Sequence, residues 1–270
     1  MTMAKIESFG RSFRVYADCV DAMPPVEVYS IEKQKSRLVT ASDNLIDYTR
    51  EVLSNAVSLL PYFAEKYRIS ADLKDYVIVP VIIMPSDLPN RNVIAFPYEE
   101  LIAANPDVGM LGYQTWKFKP TFVEHKNNDY TKAKGVILES SLRPIKGAVG
   151  SRGTPLYKVL NLCAFDRRRD PGLVNSILTG ERQSYSMGAM TSYFTCSICG
   201  AMHHKRGEIR CEHISLDKPV MRKMPDGKLI YLKAHNFVGF ETSSVKVPAY
   251  HSATTPVDSI LQVASGDTKV

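Results

Sequence analysis

The chain of 270 residues has a formal charge of +6, is 44% hydrophobic and 23% charged, which excludes disordered, collagen-like and coiled-coil chains. At this length folding can remove roughly three-quarters of the unfolded surface from water, enough for one substantial domain or one domain with an insert. No apolar run reaches the ~18 residues that span a bilayer, and the opening Met1-Thr-Met-Ala-Lys-Ile-Glu-Ser lacks the apolar stretch of a secretion signal. The expectation is a soluble, cytoplasmic protein with no membrane partner.

Residues Ser42 to Arg68 set Leu45, Ile46, Val52, Leu53, Ala56, Val57, Leu60, Phe63 and Ala64 near helical period, with Ser42 or Asp43 as cap and Pro61 as a kink or break. Tyr76 to Met84 reads as a buried strand interrupted at Pro80, and Pro97 to Ala104 as a short helix ending before Pro106. Three short segments rich in β-branched and aromatic residues follow: Thr121 to His125, Gly135 to Leu142 and Tyr157 to Phe165. Asp170, Pro171 and Gly180 then supply the cap, first position and terminator of a helix over Leu173, Val174, Ile177 and Leu178. Gln183 to Phe194 and Lys228 to Phe240 read as further strands. The result is an α+β chain divided into an N-terminal part (1–110), a core (111–195), a cysteine-bearing insert (196–213), closing strands (214–242) and a loosely held tail (243–270).

Three of the five cysteines crowd into the insert. Cys196-Ser-Ile-Cys199-Gly has the spacing of a metal-binding knuckle, and Cys211-Glu-His213 completes three sulfurs and one imidazole, a closed tetrahedral set suited to structural Zn²⁺. His203 and His204 compete with His213 for the fourth place. Between Gly200 and Ala234 eight Lys/Arg face four acids, a net of +4. That excess offsets thiolate charge on a solvated face, or makes a weak nucleic-acid contact.

Glycine-rich phosphate loops, Gly-x-Ser-x-Gly elbows and His-Glu-x-x-His are absent. An enzyme here must be assembled from scattered residues. Four of the six histidines lie in or near the insert and His251 lies in the tail, which leaves His125 alone in the β-rich core, at a strand end. In Gln183-Ser-Tyr-Ser-Met-Gly-Ala-Met190, alternation puts Ser184, Ser186 and Gly188 on one face, and the glycine would leave the Ser186 hydroxyl open to a substrate backbone. A serine becomes a nucleophile only beside a base that is itself held in place. Without such a base, His125 and Ser186 are structural residues.

The succession Thr115-Trp-Lys-Phe-Lys-Pro-Thr-Phe-Val-Glu-His125-Lys-Asn-Asn-Asp129, Ala133-Lys-Gly-Val-Ile137, Leu162-Cys-Ala-Phe-Asp166, a capped helix and Tyr185-Ser186-Met-Gly188 resembles the prohead (head-maturation) serine proteases of tailed bacteriophages, themselves similar to the herpesvirus assemblins. The likeness spans Leu111 to His213, about two-fifths of the chain. It implies a β-barrel-like protease core flanked by helices, with the zinc-binding stretch as a small insert, His125 as general base and Ser186 as a nucleophile on a strand. It also implies scaffold and major capsid proteins, and the protease itself, as substrates inside the phage prohead in the host cytoplasm. For the third catalytic member Asp166 is the first choice, with Glu139 and Glu124 as alternatives. A non-enzymatic zinc-ribbon protein of the virion, binding DNA or the shell, is the competing expectation.

Overall fold

The computed structural model describes residues 7–9, 12–18, 58–90, 92–150, 153–204, 211–214, 222–245 and 261–262. Most of the helical pattern beginning at Ser42 therefore lies outside the described residues. Its end is α1 (Leu60–Tyr67), which starts at Pro61's turn because proline is tolerated only where no intrahelical N–H is needed.

Among the described residues, eleven strands and two short helices carry the rest of the main architecture. In chain order they are β1 (Glu7–Phe9), β2 (Ser12–Asp18), β3 (Tyr76–Pro85), β4 (Ile94–Ala95), α2 (Tyr98–Ile102), β5 (Pro120–Val123), β6 (Gly135–Val149), β7 (Pro155–Asp166), α3 (Pro171–Leu178), β8 (Ser184–Cys196), β9 (Met202–His203) and, after a small ribbon of β10 (Arg222–Lys223) and β11 (Leu229–Ile230), β12 (Leu232–Val245). A last strand, β13 (Leu261–Gln262), pairs with β3. The main sheet runs β1-β2-β8-β12-β5-β6-β7-β3-β13, with β4 on β12 and β9 on β8. It is mixed, because β12 lies parallel to β4 and β5 while its pairing with β8 is antiparallel. The protein is α+β, and among the described residues the two ends of this path do not pair, so no closed barrel forms.

Alternation along the long strands sorts their side chains onto two apolar layers. Val77, Val79, Ile137, Cys163, Phe165, Tyr185, Met187 and Trp116 share one, while Ile78, Phe122, Val136, Leu162 and Ala164 share the other with Leu60, Ala64 and Tyr67 of α1. α3 is delimited as its sequence suggests: the Asp170 carboxylate accepts the Leu173 N–H at 3.0 Å, Pro171 opens the first turn, and Gly180 takes φ 77° just after it.

The end of β12 departs from the expectation of a tail beginning at Ser243. Ser243, Ser244 and Val245 continue the strand, buried between β8 and β5. Sequence composition suggested a loose end here; the two flanking strands satisfy its backbone instead.

Candidate functional site

A bulge in β12 creates the site. Gly239 pairs with Ala189, but the next register pair is Glu241 with Gly188, so Phe240 is an extra residue. Residues 239 and 241 would otherwise share a face; the bulge turns Glu241 to the opposite side, where Ser243 stands against Ser186. Two contacts hold the bulge. The Gly239 N–H donates to Thr115 Oγ1 at 2.8 Å, and Trp116 stacks so closely on Gly239 that a Cβ there would meet its ring at 2.3 Å. The same indole donates from Nε1 to the Gly188 carbonyl at 3.2 Å. Glycine is required at 188 too, since a Cβ would lie 2.5 Å from Phe240 Cζ and 2.8 Å from Glu241 Oε1. The space beside Ser186 that the sequence suggested for a substrate backbone is thus filled by Phe240 and Glu241.

His125 reaches this patch from the end of β5. The strand stops at Val123, and Glu124 and His125 both adopt left-handed backbone at φ 50° and 54°. Two consecutive non-glycine residues in that region cost on the order of 1–3 kcal/mol each. The turn is fixed by Glu124 N–H to the Ser244 carbonyl (3.0 Å), Lys126 N–H to the Val123 carbonyl (3.1 Å) and an ion pair between Arg182 and Glu124 (3.3 Å). It carries the imidazole back over the sheet. Nδ1 lies 2.8 Å from Glu241 Oε1 and Nε2 lies 2.8 Å from Ser186 Oγ. In the tautomer with its proton on Nδ1, the ring donates to the Glu241 carboxylate and accepts from the serine hydroxyl at Nε2. Glu241 is fully buried, Ser186 is buried, and His125 keeps 25% of its side-chain surface exposed. Such a chain of groups can move a proton from Ser186 to His125 while Glu241 holds the ring and its charge.

The acid in contact with His125 is therefore Glu241, and the three carboxylates proposed from sequence are occupied elsewhere. Asp166, buried, accepts backbone N–H groups from Ser70 (2.7 Å), Arg168 (2.8 Å) and Arg169 (3.2 Å), so it organises the loop after β7. Glu139 pairs with Lys117 at 2.5 Å, and Glu124 points to Arg182.

A second chain of the same connectivity lies farther along the same two strands. Thr195 Oγ1 is 2.7 Å from His235 Nε2, and His235 Nδ1 is 2.8 Å from Glu100 Oε1. The surroundings differ. Glu100 also accepts the Asn236 N–H at 2.9 Å, is partly exposed, and is held below the usual carboxylate range chiefly by its bond to His235. Tyr193 stacks on the imidazole at 4.7 Å, and the hydroxyl is a hindered secondary one. This network clasps α2 to β12.

In the insert, the ligand atoms of Cys196, Cys199, Cys211 and His213 lie within 4.8 Å of one another. A tetrahedral ion with Zn–S bonds of about 2.3 Å needs sulfurs roughly 3.8 Å apart, so the donor set can close on a metal with small movements. The His213 Nδ1 is buried with no hydrogen-bond partner, and Gly200 takes φ 72° in the knuckle. The Ala201 N–H holds the Cys199 thiol down to about 7, whereas burial pushes Cys211 up to about 11. Of the competing histidines, His203 sits 3.7 Å from Cys211 Sγ through Nε2 and His204 packs near Tyr193. The cluster can hold a metal ion.

Comparison with protein families, with curated proteins and with solved structures found no match to this chain.

Proposed function

We propose that this chain is a serine endopeptidase in which Ser186 is the nucleophile, His125 the general base and Glu241 the carboxylate that orients the imidazole. The observation that carries this reading is His125 itself, engaged at 2.8 Å on both ring nitrogens, by a serine on one side and a buried acid on the other. Ser186 Oγ forms a bond to the scissile carbonyl carbon as its proton passes to Nε2. The imidazolium gives that proton to the departing amine nitrogen as the C–N bond breaks, and water then hydrolyses the ester by the same path. Glu241 stabilises the cation that exists only during transfer, which is where electrostatic stabilisation accelerates a reaction. A water-poor surrounding strengthens that effect, and Glu241 is fully buried.

The substrates belong to the same proposal through the resemblance to phage prohead proteases: scaffold and capsid proteins inside an immature shell, and the protease's own C-terminal region. A barrel-like curl of the sheet and structural Zn²⁺ in the Cys/His cluster are part of it. The basic surroundings of that cluster favour a second reading, a zinc-ribbon virion protein that binds DNA or the shell, in which Ser186 and His125 are inert.

A fluorophosphonate separates the two. The serine oxygen displaces fluoride from phosphorus, and peptide mapping should find the adduct on Ser186 in the wild type and none in His125→Ala. An unlabelled Ser186 in folded protein would overturn the enzyme reading. Coexpression with scaffold or capsid protein then tests the substrate, with Ser186→Ala as the control that should leave it uncut.

A further inference from the structure

Glu241 has two carboxylate oxygens, and only one faces His125. The other, Oε2, accepts a hydrogen bond of 2.5 Å from Ser243 Oγ. Ser243 is fully buried, lies two residues along β12 from Glu241 on the same face, and stands directly opposite Ser186 in the β8–β12 ladder. Its hydroxyl is thus placed behind the acid while the nucleophile is in front of the base.

We infer that Ser243 is a positioning residue that fixes Glu241 and sets the basicity of His125; the inference rests on the reading of Ser186, His125 and Glu241 as the catalytic groups. A buried carboxylate without donors is costly, and each hydrogen bond it accepts spreads its charge and locks its rotamer. With both oxygens engaged, the plane of the carboxylate is fixed by two partners on different elements, β12 and the turn after β5. Removal of the Ser243 hydroxyl leaves His125 as the donor on which the Glu241 charge concentrates. The imidazolium is then favoured, so the base is protonated up to a higher pH, while the freed carboxylate orients the ring less well.

Other titratable and charged groups around the patch are Glu124 and Lys126 beside His125, Arg182 on Glu124, and Cys163 on β7, whose thiol is pushed up by burial and then by Glu241. β2 brings Asp18 to the register position opposite Ser186. All are common to wild type and variant, so a change on altering Ser243 reads Ser243.

The test follows the rate of fluorophosphonate labelling at Ser186 against pH, which needs no knowledge of the substrate. Ser243→Ala should lower the plateau rate by about tenfold, the scale of one hydrogen bond to a charged group. It should also move the midpoint of the acidic limb to higher pH. Ser243→Thr, which restores a hydroxyl, should recover both. Should Ser243→Ala melt below the assay temperature, Ser243→Cys, with only a weak S–H donor, is read in its place. Wild type that labels at Ser186, with a variant of unchanged rate and midpoint, overturns the role of Ser243 alone. Wild type that does not label at Ser186 overturns the catalytic reading beneath it. A lower melting temperature with an unmoved midpoint means a structural serine and also defeats the inference.

Discussion

Glu241 stands opposite Gly188 because Phe240 is looped out of the ladder, and the absent side chain at Gly188 is what admits the carboxylate to the face that carries Ser186. Gly188→Ala should therefore damage the site without replacing any of its three residues. A Cβ 2.8 Å from Glu241 Oε1 and 2.5 Å from Phe240 Cζ forces the acid or the ring aside, and overpacking of this kind costs about 1–3 kcal/mol. The expected result is a folded protein with a lower melting temperature and strongly slowed labelling of Ser186. Labelling at the wild-type rate would show that Glu241 need not sit where it does.

Glu241→Gln and Asp166→Asn should part company. The amide keeps the volume of Glu241 but can donate to Nδ1, favouring the tautomer in which Nε2 carries the proton and cannot take one from Ser186. Losses of about 10⁴-fold accompany that error in serine proteases. Asp166 accepts two backbone N–H groups from the loop after β7 and a third from Ser70, between α1 and β3, so its replacement should lower thermal stability and leave the pH dependence of labelling in place. Labelling rate and thermal melting measured on both variants decide the assignment; equal activity of Glu241→Gln and wild type removes Glu241 from the mechanism.

These two residues also mark where sequence stops being informative. Ser186 and His125 were legible because one stands in a strand of small residues before a glycine and the other is the lone histidine of the β-rich core. Strand periodicity located β3, β7 and β8 within a residue or two, and the Asp-Pro…Gly frame delimited α3. Glu241 was not legible. The sequence pattern ends the closing strand at Phe240, and even a correct end would put Glu241 on the same face as Gly239, since alternation carries no sign of a bulge. The bulge depends on Thr115 and Trp116, more than a hundred positions earlier, which bind and cover Gly239. Asp166 stands out in the sequence because it directly follows a strand segment, yet backbone N–H groups of neighbouring Arg168 and Arg169 and of distant Ser70 claim its oxygens. The continuation of β12 through Val245 was hidden for a similar reason: Ser243 and Ser244 are small and polar, and the flanking strands bury them.

The clasp between Glu100 and His235 should appear in the pH dependence of stability. The folded protein holds Glu100 below its ordinary 4.5, first through the bond from His235. A depressed carboxylate contributes stability that is fully present above the unfolded value and is lost as pH falls through the lower folded one. Glu100→Gln should then melt below wild type at neutral pH, with the gap narrowing as pH drops below 4.5. A gap that stays constant through the acid range would mean that the charge of Glu100 contributes nothing.

The Cys/His cluster should behave as a structural centre. Four protein donors leave no open position for a reactive water, and the cluster joins the end of β8 at Cys196 to Cys211 and His213 beyond the knuckle. Structural zinc sites of this type bind with an apparent ~10–16 kcal/mol at neutral pH, as large as the whole stability of an ordinary domain. Cys199→Ser should reduce bound zinc below one ion per chain and lower the melting temperature, while Ser186, ten residues before Cys196 on the same strand, should label more slowly only as β8 loosens. On the proposed structural role, chelation should act gradually, in step with loss of structure, since an ion closed in by four protein donors would support the fold and take no part in proton transfer. Immediate, complete loss of Ser186 labelling on chelation at an unchanged melting temperature, reversed at once by zinc, would instead place the metal in the reaction.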